Sequence, residues 1–191
     1  MGIYKLRPQV EAYQSFHIHP DAIYDAMGDD FALNFGVKGE SVKGEWVPVH
    51  CEFFQPDEFS TATRAPDLSI WQTGVLVLSV KAHEVLVDEL EKFGEFLGLT
   101  CGTGFYYLFN TLHIKSDDVV DASNSEQDVD QGLFMGVKRL AFNESMVLSG
   151  DLIFKTRYDQ LLNIYANDKF KTLVEEHALE GLVFNSDLAC F

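Results

Sequence analysis

The sequence predicts an α+β fold: a mixed, mainly antiparallel sheet with two main helices packed on it. Three observations lead there. Segments rich in Val, Phe, Tyr and Ile outnumber helical patterns along the chain. Only two long segments carry apolar residues at helical spacing, and these two fall between strands in irregular order, unlike the regular alternation of a βαβ winding. With 191 residues, 47% of them apolar and only 5 Pro, the chain is long enough to bury about 70% of its surface. No linker rich in Pro, Gly or Ser divides it, so residues 1–191 are expected to form a single domain.

The elements follow in order. His19-Pro20-Asp21 and then Ala22 to Met27 predict a short helix with proline in its first turn, where the missing N–H is not needed. Gly36, Gly39 and Gly44 surround a local echo, Val37-Lys38-Gly39-Glu40 and Val42-Lys43-Gly44-Glu45, which reads as a turn-rich stretch or hairpin. Trp46 to Phe54 alternates partly and is a strand. Leu68 to Val80 is extended structure feeding a buried strand. Ser79 then caps a helix with Ala82, Val85, Leu86, Leu90 and Phe93 on one face, ended by Gly94.

Glu95 to Leu99 and Phe105 to Ile114 come next as strands. The run Phe105-Tyr106-Tyr107-Leu108-Phe109 is apolar on both faces and marks a central one. Ser116 to Gln131 is expected to be the least structured part. Strands are expected at Val137 to Phe142, Asp151 to Lys155 and Asn163 to Tyr165. The last helix starts near Asn167-Asp168 and buries Phe170, Leu173 and Val174, with His177 at the margin of that face. Gly181 stops it before Leu182-Val183-Phe184 returns as a strand.

Lys and Arg number 14 against 30 Asp and Glu, a formal net charge of -16. Such a field repels phosphates, making nucleic acid and anionic membranes poor partners, and attracts a basic protein. No apolar run approaches the roughly 20 residues that span a bilayer. The opening Met1-Gly2-Ile3-Tyr4-Lys5-Leu6-Arg7 is followed by Pro8, without the apolar stretch of a signal peptide. Cys51, Cys101 and Cys190 are odd in number and lack a CxxC pair. A reducing cytoplasm is the expected location.

His17-Ile18-His19-Pro20-Asp21 is the most enzyme-like string, because imidazoles two apart on a strand face one side and a carboxylate follows. It resembles the opening of the metallo-β-lactamase motif, but Ala22 stands where the next histidine belongs. A metal-dependent hydrolase using His17, His19 and Asp21 is therefore the alternative reading, alongside a non-catalytic regulatory module. Asp128-Val129-Asp130-Gln131-Gly132 imitates half a calcium loop, but its twelfth place is Arg139. Cys101-Gly102-Thr103-Gly104 precedes a strand where a dinucleotide cradle would follow one. Cys51 beside His50 points to the opposite face. Glu84, Asp88, Glu89, Glu91 and Glu95 surround the first main helix and are expected to be a solvated face. Neither a catalytic set nor a cofactor motif emerges, so no enzyme activity, cofactor or metal is expected.

The order of pieces carries a resemblance. Pro66-Asp67 leads to Gly74-Val75-Leu76-Val77-Leu78-Ser79 and a helix. Glu95-Phe96-Leu97 and Tyr106-Tyr107-Leu108-Phe109-Asn110 follow, then an aspartate-rich turn with Asp117, Asp118 and Asp121, and Ile153-Phe154-Lys155. Ile164-Tyr165, Asp168-Lys169-Phe170, Val174-Glu175-Glu176 and Leu179-Glu180-Gly181-Leu182-Val183-Phe184 complete it. Together they resemble a family of bacterial immunity proteins encoded beside polymorphic or contact-dependent toxins, long catalogued as a domain of unknown function. The resemblance is strongest over residues 66–184 and loose over 1–65. It implies a cytoplasmic antidote that binds the toxic domain of a cognate effector and blocks it without catalysis, leaving the oligomeric state open. Asp117, Asp118, Asp121, Glu126, Asp128 and Asp130, with no basic residue among them, are the candidate surface for a basic toxin domain.

Overall fold

The computed structural model describes residues 2–36, 38–55, 61–72, 74–102, 104–147 and 150–189, with side chains except at 32–34. Val37, Thr103 and Cys190 from the motifs above lie outside the described residues. The chain runs β1 (Ile3–Pro8), β2 (Ser15–His17), α1 (Pro20–Met27), α2 (Asp29–Asn34), β3 (Val49–His50), β4 (Glu52–Phe54), β5 (Leu68–Trp71) and β6 (Val75–Ser79). It continues through α3 (Val80–Leu90), β7 (Gly94–Cys101), β8 (Gly104–Thr111), β9 (Ile114–Lys115), β10 (Glu126–Asp130) and β11 (Leu133–Arg139). It ends with β12 (Ile153–Thr156), β13 (Tyr165–Asn167), α4 (Asp168–Glu176) and β14 (Leu182–Asn185).

Period-two alternation builds the layers. In β6, Leu76 and Leu78 enter one core and Val75 and Val77 another; in β8, Phe109 and Leu108 divide the same way. A strand so divided is buried on both faces, which is why this part of the sequence is apolar without interruption. The sheet is β3-β7-β8-β6-β5, with β8 in the middle as the aromatic run requires. A second sheet, β14-β1-β13-β12-β9, divides likewise: Ile153 and Ala166 face the central core, Phe154 and Tyr165 the outer one. The central core lies between the sheets and takes Leu86 and Leu90 of α3 and Phe170 and Val174 of α4. Residues of α1, α2, β2 and β4 cover the far face of the first sheet, and Val119, Val120, Phe142 and Val147 the far face of the second. Pairing in both sheets is mostly antiparallel, with β3–β7 and β9–β12 parallel. The fold class is α+β.

Caps set the helix starts. The Ser79 side chain accepts from the Ala82 N–H, and Asn167 from the Phe170 N–H. His19 is the cap of α1, its ring accepting from the Asp21 N–H, with Pro20 in the first turn. Other expectations are corrected. Trp46–Phe54 is two strands in two sheets: β3 runs beside β7 whereas β4 pairs with β2, with the break at Cys51. The glycine-rich stretch contains a turn at residues 43–45 and no ladder among the described residues. α2 was not legible, and β7 is longer than Glu95–Leu99. Within Ser116–Gln131, a 3-10 turn at Asp117–Val119 and the strand β10 replace irregular structure. β11 starts at Leu133, before Val137, because Gln131 (φ 49°) and Gly132 (φ 84°) make a two-residue turn that pairs Asp130 with Leu133; two positive φ values give a type I′ turn. β13 begins at Tyr165, past Asn163. His177 is exposed, and the left-handed residue ending α4 is Ala178 (φ 46°), three positions before Gly181.

Candidate functional site

The six acidic residues divide into two groups. Asp117 and Asp118 sit in the 3-10 turn, where Ser116 Oγ donates to Asp118 Oδ1 and the adjoining Val119 and Val120 are buried. Asp121 closes the following turn by accepting from the Ser123 N–H at 3.0 Å, Ser123 Oγ at 2.5 Å and Asn124 Nδ2 at 2.7 Å. These bonds, from Ser123 first and then Asn124, hold its carboxyl below the ordinary carboxylate range. Asp121 is therefore engaged in shaping the turn.

Glu126, Asp128 and Asp130 alternate along β10, so they share one face of the hairpin. Both extra residues of the irregular ladder, Met135 and Lys138, fall on β11. The acidic segment itself holds no cation; the hairpin brings two. Lys138 Nζ lies 3.2 Å from Asp128 and 3.7 Å from Glu126, and the Arg139 guanidinium lies 3.1 Å from Glu126. Asp117 and Asp130 have no ion-pair partner among the described residues. At the tip, Leu133 stands opposite Asp130 with 69% of its surface exposed, and Val129 and Met135 are also exposed. The tip thus combines an unneutralised carboxylate with uncovered apolar side chains, which is what a recognition surface needs. The apolar part carries no signal in the sequence, because the exposure of Leu133 and Met135 depends on where the turn places them.

The enzyme-like string is assembled differently from a metal centre. His17 ends β2 opposite Glu52, and its ring lies 6.3 Å from that of His19. His19 Nδ1 accepts the Asp21 N–H at 3.3 Å, leaving only Nε2 for other use. Among the described residues no three His, Cys, Asp or Glu side chains converge on one point.

Three further groups of polar side chains are held inside the fold by hydrogen bonds and ion pairs. Glu95, expected among the solvated carboxylates around the first main helix, is instead buried in β7 and accepts from Ser41 Oγ at 2.5 Å, the Val42 N–H at 2.7 Å and Asn110 Nδ2 at 2.8 Å. It fixes the loop before β3 onto the first sheet. His113 Nε2 lies 2.9 Å from Asp151 Oδ1, and Lys115 Nζ 2.7 Å from Asp151 Oδ2. Among the described residues no hydroxyl or thiol bonds this imidazole, so the carboxylate-oriented ring has no attached nucleophile. Asp159, fully buried, accepts from Asn163 Nδ2 and Tyr165 OH at 2.8 Å each. Burial raises the pKa values of both Asp159 and Tyr165. The Asp159 bonds are local, four and six residues along the chain, whereas separations of 38 or more residues for His113–Asp151 and the Glu95–loop contacts leave no local spacing to detect.

Among the described residues no helix is long and apolar enough to cross a membrane. No protein-family model matches the chain, and a search of curated proteins finds no match either.

Proposed function

We propose that this chain is an immunity protein, which binds a basic toxin domain in the cytoplasm of the producing cell and neutralises it by direct protein–protein inhibition. The observation that carries the reading is the β10–β11 hairpin, whose Asp130, without an ion-pair partner among the described residues, stands beside exposed Leu133 on a chain of net charge -16. The carboxylates attract and orient a cationic partner, and the apolar tip supplies area that is desolvated on docking. The resemblance of residues 66–184 to immunity proteins supports the same reading.

The test uses the toxic domain encoded immediately beside this chain's gene. Co-expression restores growth, and the two chains purify as one complex. Replacing Asp117, Asp118, Asp128 and Asp130 with Asn slows association several-fold at low salt. That effect fades as the screening length falls from about 10 Å at 0.1 M to about 3 Å at 1 M salt. Leu133→Ala speeds dissociation instead. Absence of protection and of a complex overturns the reading. Protection with association rates matching the parent's would place the interface away from this hairpin.

A further inference from the structure

We infer that Cys51 and Cys101 form an oxidation site, a dithiol that a peroxide converts to an intrachain disulfide fastening the chain just after the edge strand β3 to the end of β7. β3 runs parallel to β7 with Val49 opposite Leu99 and His50 opposite Thr100. The Cys51 N–H continues the ladder by donating to the Thr100 carbonyl at 2.8 Å. In a parallel ladder a residue donates to the neighbour before its partner, so Cys51 is paired with Cys101. Paired residues on adjacent strands point to the same side, and strands lie about 4.8 Å apart, inside the range of about 4.4–6.8 Å that a disulfide spans. Both cysteines pack into the same core, Cys51 buried and Cys101 half-buried, and both are free thiols.

The two sulfurs are not equivalent. Burial first, and then the charge and hydrogen bonding of Cys101, push the Cys51 thiol up to about 12. Cys51 is therefore a poor first nucleophile, and the more accessible Cys101 takes that part. The Cys101 thiolate attacks one oxygen of hydrogen peroxide; the O–O bond breaks, hydroxide leaves and is protonated to water, and Cys101 becomes a sulfenic acid. The Cys51 sulfur then attacks the Cys101 sulfur, the S–O bond breaks, and the departing oxygen takes the Cys51 proton as a second water. Two thiols are oxidised by two electrons and one peroxide is reduced to two waters. The bond closes a loop of about 50 residues containing β4 through β7, and it holds the short edge strand β3 in place. This inference is independent of the immunity reading.

The experiment uses the full chain in a Cys190→Ser background, so that two thiols remain. Hydrogen peroxide should lower the thiol titre from two to zero without forming dimers, and peptide mapping should recover a reducible Cys51–Cys101 link. The unfolding midpoint should rise by roughly 10 °C and return on reduction, as closing a loop of this length predicts. In Cys51→Ala, Cys101 should over-oxidise to sulfinic acid; in Cys101→Ser, the Cys51 thiol should persist. A titre that stays at two, or sulfinic acid on Cys101 while Cys51 is present, overturns the proposal. If Cys51→Ala fails to fold, the Cys101→Ser variant and the peptide map decide it.

Discussion

Lys155→Met tests how the second sheet carries a buried charge. Lys155 is 1% exposed in β12, with Nζ donating to the Gly36 carbonyl at 3.4 Å. Burial, opposed by the Asp159 carboxylate, pushes its pKa from 10.5 down to about 8. The unfolded chain keeps the proton up to pH 10.5 while the folded chain releases it near 8, so between them the unfolded state binds more protons and stability rises with pH. The group contributes almost nothing to this rise at pH 7, about 2.5 kcal/mol by pH 10 and about 3.5 kcal/mol above pH 10.5. Methionine has similar length and no proton to lose. Urea midpoints for both chains at pH 7, 8, 9 and 10 should therefore diverge, with the parent gaining about 2.5 kcal/mol on the variant over that span. Cys51 and Tyr106, both pushed up to about 12 chiefly by burial, cost stability at alkaline pH because the folded state holds their protons longer. That loss occurs in both chains and cancels in the difference. Stability curves that run parallel from pH 7 to 10 would refute the assignment of a buried, deprotonating amine.

Two substitutions test the turns. Gly181 has φ 113°, and a Cβ there would lie 2.3 Å from both the Leu68 carbonyl oxygen and the Pro66 Cβ. Gly181→Ala should lower stability by about 3 kcal/mol, combining backbone strain with overpacking, and an unchanged urea midpoint would rule that out. Gln131→Asn should stabilise the chain by about 0.5 kcal/mol, because asparagine tolerates the left-handed region of the type I′ turn better than glutamine. A lower midpoint would show that Gln131 has another role.

Where a pattern is local and its physical cause is local, the sequence by itself determined the outcome. Ser79, Asn167 and Pro20 mark helix starts because each acts on a backbone group within a few residues. The uninterrupted apolar run of β6 announces a strand buried on both faces, and the α+β class follows from the mixture of such strands with two helices. Tertiary structure alone decided what depends on partners far along the chain. Trp46–Phe54 looks like one strand, yet β3 and β4 satisfy their backbone bonds in different sheets, and no local preference encodes that division. Ala178 takes the left-handed place expected for Gly181, which is instead required by the close passage of Pro66 and Leu68. The acidic segment was visible as charge, but its neutralisation by Lys138 and Arg139 and its exposed Leu133 depend on a hairpin register. Cys51 and Cys101 are unremarkable in the sequence; they meet because a parallel ladder can join any two strands, whatever length of chain separates them.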